Sequence, residues 1–338
     1  MRKCVFHMRE LEATRNNVEI YMPSEYWKEE LSNFDYMLDA SPLIISKLRH
    51  HCYHLTGLRV YDYRSNKEKA KMLFEEKLNM LLRLGYKNIL VPESPTLGGF
   101  GYEINGKLFN VDTLKFYEAL IALKKSKLLD RFINSGKRNI VWEIGAGWGG
   151  FAYQFKTICP NSTYIITDFP EVILFSATYL MNVFPNAKFL IYGEVPAKET
   201  FKNLEEFDFI FIPNTFLNFM SPERMDLAIN MISFQEMTTE QVKAYAKKAS
   251  DLKCPYMYSL NRDRSLYNLQ LTNVRTVLNG YYELDEIPVL SVSYTKVDGE
   301  KEKSIIKSIK TILKNKKKSK KKQESLEYKH VVGRLRDC

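Results

Sequence analysis

Glu143 stands two places ahead of Gly145 in NIVWEIGAGWGGFAYQF (139–155), Asp168 closes TYIITD (163–168), and Glu236 sits in ISFQEM (232–237). Carboxylates in such places can accept hydroxyls, pair with a cationic ligand or move a proton. Gly145, Gly147 and Gly150 satisfy G-x-G-x-x-G where a β-rich run passes into a helical one. Glycine there permits a tight turn and lets a ligand meet the backbone, with Ala146 and Trp148 in the same loop. The pattern suits pyrophosphate on a helix N-terminus, as in a dinucleotide, or the methionine portion of S-adenosylmethionine (SAM) lying against the loop. Glu143 separates the two, because a carboxylate at the strand end repels pyrophosphate and suits a ligand with an ammonium and a sulfonium. Asp168, followed by Phe169, is placed to accept both ribose hydroxyls of an adenosine and serves either cofactor. Gly193 and Glu194 end a third run and are expected near the adenine edge. Glycines that merely let helix and strand pack closely are the plainer alternative. Strand, acid, glycines, helix and second acid in this order favour the adenosine cofactor.

The elements that must position these residues can be read from the pattern. From Asn139 onward, short β-rich runs alternate with helical segments, the signature of parallel βαβ units. The expected strands are 139–144, 163–168, 187–193, 207–213 and 254–260, with two more at 287–297 and 327–335. The fold class is therefore α/β, a Rossmann-like doubly wound sheet. Residues 1–110 read as a mainly helical N-terminal region, a lid or a substrate or oligomerisation element, and 111–338 as the cofactor-binding domain. Within the first part, Ser65-Asn66 can cap a helix that ends by Gly85, Asn105-Gly106 signals a two-residue hairpin, and Asp112 can cap a helix through Leu123.

EIGAGWGG, TDFPE and IPNTF together resemble the class I SAM-dependent methyltransferases. GGFGYEINGKLFNVDTLKFYE and MDLAINMISFQEM more narrowly resemble the bacterial putative sugar O-methyltransferases, over roughly residues 90–260. The resemblance implies a mostly parallel sheet ending in an antiparallel strand, SAM as methyl donor, and a hydroxyl of a sugar, nucleotide sugar or glycan in surface polysaccharide synthesis as acceptor. It implies cofactor contacts at Glu143, Gly145, Gly147 and Asp168, with Pro213 and Asn214 lining the methionine side. The lysine-rich segment between the last strands departs from it.

Methyl transfer to a sugar hydroxyl calls for a dry pocket that positions the acceptor and for a base within hydrogen-bond reach. Glu236 is the first candidate and His330, in the last strand, the second. Asn230, Ser233 and Met237 have the spacing of one helical face that Glu236 can approach, so Asn230 and Ser233 are expected at the acceptor. An amphipathic helix with Glu236 paired to a basic neighbour fits equally well. Phe100, Tyr102 and Asn110 are further acceptor candidates, with core packing the alternative for the aromatics. His50, His51 and His54 have helical spacing that could suggest a metal, but no credible ligand set is completed nearby and a solvated face is the reading. No metal ligand set is expected, and a divalent metal stays open as a second cofactor.

Several classes are excluded by composition. The net charge of +10 lies in residues 301–322, with eleven lysines and one acid, leaving 39 basic against 39 acidic residues elsewhere. A nucleic-acid groove would spread its charge, so an RNA-binding or RNA-modifying protein led by this segment ranks behind, as does an NAD(P)-dependent oxidoreductase using the glycine loop. The segment's isoleucines share one helical face opposite its lysines, which suits either a solvated helix or peripheral contact with an anionic membrane through 303–322. Five scattered cysteines indicate neither disulfides nor zinc, and the apolar runs fall short of a membrane span, so a cytoplasmic chain is expected. An oligomer is compatible with all of this.

Overall fold

The structure is a computed structural model and describes residues 5–10, 19–64, 67–264, 268, 270, 271, 273–289 and 327–336. Its centre is β3 (Asn139–Ile144), a strand whose six residues are all buried. That burial on both faces requires helices on both sides of the sheet. Around it lie β4 (Ser162–Asp168), β5 (Phe189–Ile191), β6 (Phe209–Pro213), β7 (Leu227–Met231), β8 (Tyr256–Arg262), β9 (Tyr282–Glu286) and β10 (Tyr328–Leu335). The order is β5-β6-β4-β3-β7-β8-β10-β9; the first six run parallel, and β10 is antiparallel to both its neighbours. This is the expected doubly wound Rossmann-like sheet with its antiparallel ending.

One correction follows from the order. Phe209–Pro213 is a strand as expected, and it pairs with the outer side of β4, with Asp168 opposite Pro213. The strand beside the glycine strand is β7, which comes from MDLAINMISFQEM, expected to be one face of a helix. Leu227–Met231 is buried throughout, and pairing with β3 on one side and β8 on the other overrides its helical spacing. A short 3₁₀ turn, Phe234–Glu236, follows it. At the C-terminus, β9 lies at Tyr282–Glu286; residues 287–289 form no strand, and 290–297 lie outside the described residues, as does the lysine-rich segment.

The N-terminal region is mainly helical, with α1 (Glu25–Leu31), α2 (Leu48–His51) and α3 (Glu68–Leu82). Ser65 and Asn66 lie outside the described residues. The hairpin of β1 (Tyr102–Ile104) and β2 (Lys107–Phe109) turns at Asn105 (φ 52°) and Gly106 (φ 71°), the left-handed pair that a two-residue turn demands. Next comes α4 (Val111–Lys125), capped by Asn110, not Asp112: the Asn110 side chain accepts from Thr113 N–H while Thr113 Oγ1 accepts from Asn110 N–H. Asp112 is thereby left for other work. Between the strands run α5 (Gly150–Ile158), α6 (Pro170–Val183) and α7 (Thr239–Asp251). One apolar cluster joins Val5, Met8, Phe34 and Leu48 to the sheet.

Candidate active site

At the C-terminal ends of β3, β4 and β7 the chain leaves β3 towards β4 on one side and is met by β7 on the other. Crevices of doubly wound sheets open at such switch points. The pocket there is lined by the loop Gly145–Trp148, by Glu143, Asp168 and Phe169, by Met231, Ile232, Ser233 and Glu236, and from the N-terminal half by Trp27, Leu55, Thr56, Lys115 and Phe116.

Gly145 has φ 71°, and a Cβ there would lie 2.1 Å from Ser233 Oγ, so only glycine fits under the turn after β7. Gly147, also left-handed at φ 59°, donates its N–H to Asp168 Oδ2 at 2.9 Å. Phe169 N–H donates to Asp168 Oδ1 at 2.8 Å. The second-strand acid is thus bolted to the glycine loop by backbone donors on both oxygens. Ile232, a β-branched residue at φ 65°, turns the chain sharply at the pocket wall. Such strain persists only where the surroundings enforce it, and it is frequent at functional sites.

Glu143 and Asp168 are buried and Glu236 is half-buried; the three carboxylates share this pocket, and none forms an ion pair within 4.0 Å among the described residues. Burial pushes Glu143 up to about 8, against the pull of a hydrogen bond from Tyr164 Oη at 3.0 Å. Burial likewise raises Asp168 to about 7, opposed by its backbone donors. Glu236 is raised by burial to about 7, while Trp27 Nε1, donating to Glu236 Oε2 at 3.1 Å, favours the charged form. Lys115 is the cation nearest in electrostatic effect, lowering both Glu143 and Glu236. Three carboxyls held near neutrality by desolvation make a pocket that gains most from a cationic ligand.

The other expected residues fall into two groups. Ala146, Trp148, Phe169 and Ser233 line the pocket with Glu143, Gly145, Gly147, Asp168 and Glu236. Asn230 sits behind it, with no exposure: Nδ2 donates to Ile144 O and Ser233 Oγ, and Oδ1 accepts from Phe234 N–H and Asn261 Nδ2. An amide has two donor hydrogens and two acceptor lone pairs, so Asn230 has nothing left for an acceptor and instead clamps β7 to β3. Asn110 is spent on the helix cap and on Phe100 O. Phe100 packs edge-on against His50 and Tyr102 against Tyr63 and Phe74, so both belong to the core behind the loop. His330 hydrogen-bonds Tyr258 Oη through Nδ1 at 2.8 Å, with Nε2 3.5 Å from Glu118. It is sealed between β8 and α4, away from the pocket, because β10 lies beyond β8 in the sheet.

Gly193 and Glu194 follow β5 at the sheet edge, where the Glu194 carboxylate turns back to accept from Ile191 N–H. Pro213 and Asn214 end β6 on the far side of Asp168, and Asn214 Nδ2 donates to Tyr21 O. None of these four lines the pocket among the described residues. On the β7 side the pocket is lined by Met231, Ile232 and Ser233, which follow from β7 being the neighbour of β3. Trp27 and Lys115 went unnoticed in the sequence. The signal for Lys115 was there: Asp112 and Lys115 are an acid and a base three apart at the start of a largely buried helix. No group of three or more metal-ligating side chains occurs among the described residues. His51 and His54 make other bonds, to Tyr36 and Glu30.

No protein-family model matches the chain, and no curated protein sequence matches it. Three solved structures overlay on it with low scores. Human N-acetylserotonin methyltransferase in complex with SAM is 12% identical at TM-score 0.37, over 67% of this chain and 53% of that chain. The YcgJ protein from Bacillus subtilis is 11% identical at TM-score 0.42, over 66% of this chain and 99% of that chain. The N-methyltransferase NodS from Bradyrhizobium japonicum is 13% identical at TM-score 0.36, over 63% and 96%. This chain spans about half the length of the first of them. Likeness at this level leaves the reading of the pocket to its own geometry.

Proposed function

We propose that the chain is a SAM-dependent O-methyltransferase that methylates a hydroxyl of a sugar, nucleotide sugar or glycan, as in the building of a surface polysaccharide. The observation that carries the methyl-donor reading is the cluster of Glu143, Asp168 and Glu236 around the glycine loop, with no ion pair to any of them among the described residues. A dinucleotide would set its phosphates among three carboxylates, whereas SAM brings a net positive charge to them. The residues fit SAM on two further counts. The loop is bare of side chains where Gly145 and Gly147 turn, and Asp168 is held rigidly enough to order two ribose hydroxyls.

In this reading Glu143 takes the ammonium and Asp168 the ribose, while Pro213 and Asn214, next along the sheet from Asp168, stand on the adenosine side. When bound, SAM supplies a methyl group already activated by its sulfonium. The chain's part is to exclude water, hold an acceptor oxygen in line and receive its proton. Glu236 is placed for the proton: it lines the pocket half-buried, and Trp27 fixes one of its oxygens. Trp27 and Phe169, with ring centroids 5.9 Å apart, offer an aromatic corner of the kind on which a sugar ring packs. Sugar as the acceptor class rests on that corner and on the resemblance of segments 98–118 and 225–237.

Calorimetric titration with S-adenosylhomocysteine (SAH) and NADH in parallel tests the reading. Micromolar or tighter binding of SAH alone is the expected result; NADH binding alone overturns it. No helix among the described residues is long and apolar enough to cross a membrane. Peripheral contact through 303–322 is a separate proposal from composition alone. It is rejected if flotation with anionic liposomes is unchanged when Lys316, Lys317, Lys318, Lys320, Lys321 and Lys322 are neutralised.

A further inference from the structure

Helix α4 is buried along most of its length, yet its first turns carry two charges into the interior. The Asp112 side chain is 2% exposed and that of Lys115 16%. Lys115 Nζ donates to Asp112 Oδ1 at 2.7 Å and lies 4.9 Å from the centre of the Phe116 ring, in the wall of the pocket. The other oxygen of Asp112 accepts from Trp148 Nε1 of the glycine loop at 3.1 Å, with Arg49 Nη2 at 3.8 Å. The Arg49 guanidinium in turn lies 3.3 Å from the Trp148 ring centre and donates to Glu93 at 2.6 Å. One carboxylate therefore ties the pocket's ammonium to the loop that forms the pocket floor.

Asp112 takes one of the three N–H donors of Lys115. Lys115 shares the pocket lining with Glu143 and Glu236 and acts electrostatically on both. A ligand bearing only positive charge would satisfy Glu143 and be repelled by Lys115. A ligand bearing an α-amino acid head pairs with both, ammonium to Glu143 and carboxylate to Lys115.

Resting on the methyl-donor reading above, we propose that Lys115 is the anion subsite of the pocket, that it binds the α-carboxylate of the cofactor, and that Asp112 is its positioning residue. The site thereby selects an amino-acid-bearing adenosine over one that lacks the carboxylate. The plainer alternative is that Lys115 only neutralises Asp112 inside the protein.

Calorimetry with SAH and with decarboxylated SAH, which keeps the ammonium and lacks the carboxylate, separates the two. The wild-type chain is expected to prefer SAH, and Lys115→Met to weaken SAH roughly ten-fold or more while leaving the decarboxylated ligand within about two-fold. Lys115→Arg should keep most of the preference, and Asp112→Asn should lose part of it. Equal losses for both ligands would mean a structural role and overturn the proposal. Unchanged SAH affinity with a raised acceptor KM would move the anion to the acceptor and overturn it also. If the wild-type chain binds neither adenosine, the methyl-donor reading itself falls; if it binds both equally, only the Lys115 assignment falls.

Discussion

Replacing Glu143 by Gln should make the ligand-free protein more heat-stable at pH 8 and at the same time cripple cofactor binding. The two effects share one cause. Burial holds the Glu143 carboxyl at about 8, well above its ordinary 4.5, so the folded chain keeps a proton that the unfolded chain releases. Between those values the folded state binds more protons, and stability of the ligand-free protein falls as pH rises; above about 8 the loss is complete. Gln has no proton to lose, can still accept from Tyr164 Oη, and fills the same space. A rise in Tm of about 2–5 °C at pH 8, shrinking towards nothing near pH 4.5, is the expected result by differential scanning fluorimetry. SAH affinity should fall by about 2–5 kcal/mol, since an amide cannot pair with an ammonium in a desolvated site. Higher stability together with unchanged SAH affinity would make Glu143 a structural acid and remove the main support for the methyl-donor reading.

The glycine strand, its acid and Asp168 were legible in the sequence because each is a local demand: a buried β-branched run, positive φ, a carboxylate at a strand end. The order of the sheet was not. FDFIFIP and LAINM are both short apolar runs, and nothing within either run says which pairs with β3. The helical spacing of Asn230, Ser233 and Met237 is real on paper, but it depends on Ile232 being helical. At φ 65° Ile232 breaks the spacing, and the surrounding turn enforces that conformation through Ile232 N–H donating to Leu260 O at 2.7 Å. Ser233 and Glu236 reach the pocket from a turn, and Asn230 does not reach it because its amide is consumed beneath the strand.

A different limit applies to Trp27, Lys115 and the residues of GGFGYEINGKLFN. Trp27 comes to Glu236 across 209 positions of sequence, a contact that no window of spacing reveals. Phe100, Tyr102 and Asn110 carry the types expected of a sugar site, yet the same aromatics and amide serve equally well to seat α4 behind the loop. The fold used them there. In consequence the N-terminal half contributes to the pocket through three places only distantly linked in sequence: α1 with Trp27, the short helix Tyr53–Thr56 after α2 with Leu55 and Thr56, and the start of α4 with Lys115. An N-terminal region that completes the pocket wall, more than one that merely covers it, is what those contacts describe.

Glu236→Gln is expected to slow methyl transfer by about 10²–10⁴-fold while SAH affinity stays within about three-fold, the split that marks a proton acceptor against a cofactor ligand. The pH dependence supplies the second half of the argument. A base must be ionised to act, so with Glu236 near 7 the rate should climb with pH through about 7 and level off above it. Trp27 donates to Glu236 and so favours its charged form; Trp27→Phe keeps an aromatic ring but removes that donor. Glu236 should then hold its proton to higher pH, and the rising limb should move upward with it, while Glu236→Gln abolishes the limb. The assay is transfer of label from SAM to a panel of nucleotide sugars, read across pH 5.5–9. A rising limb that survives Glu236→Gln, or one that moves downward in Trp27→Phe, would place the proton on another group and leave Glu236 as one of the carboxylates that attract the cofactor.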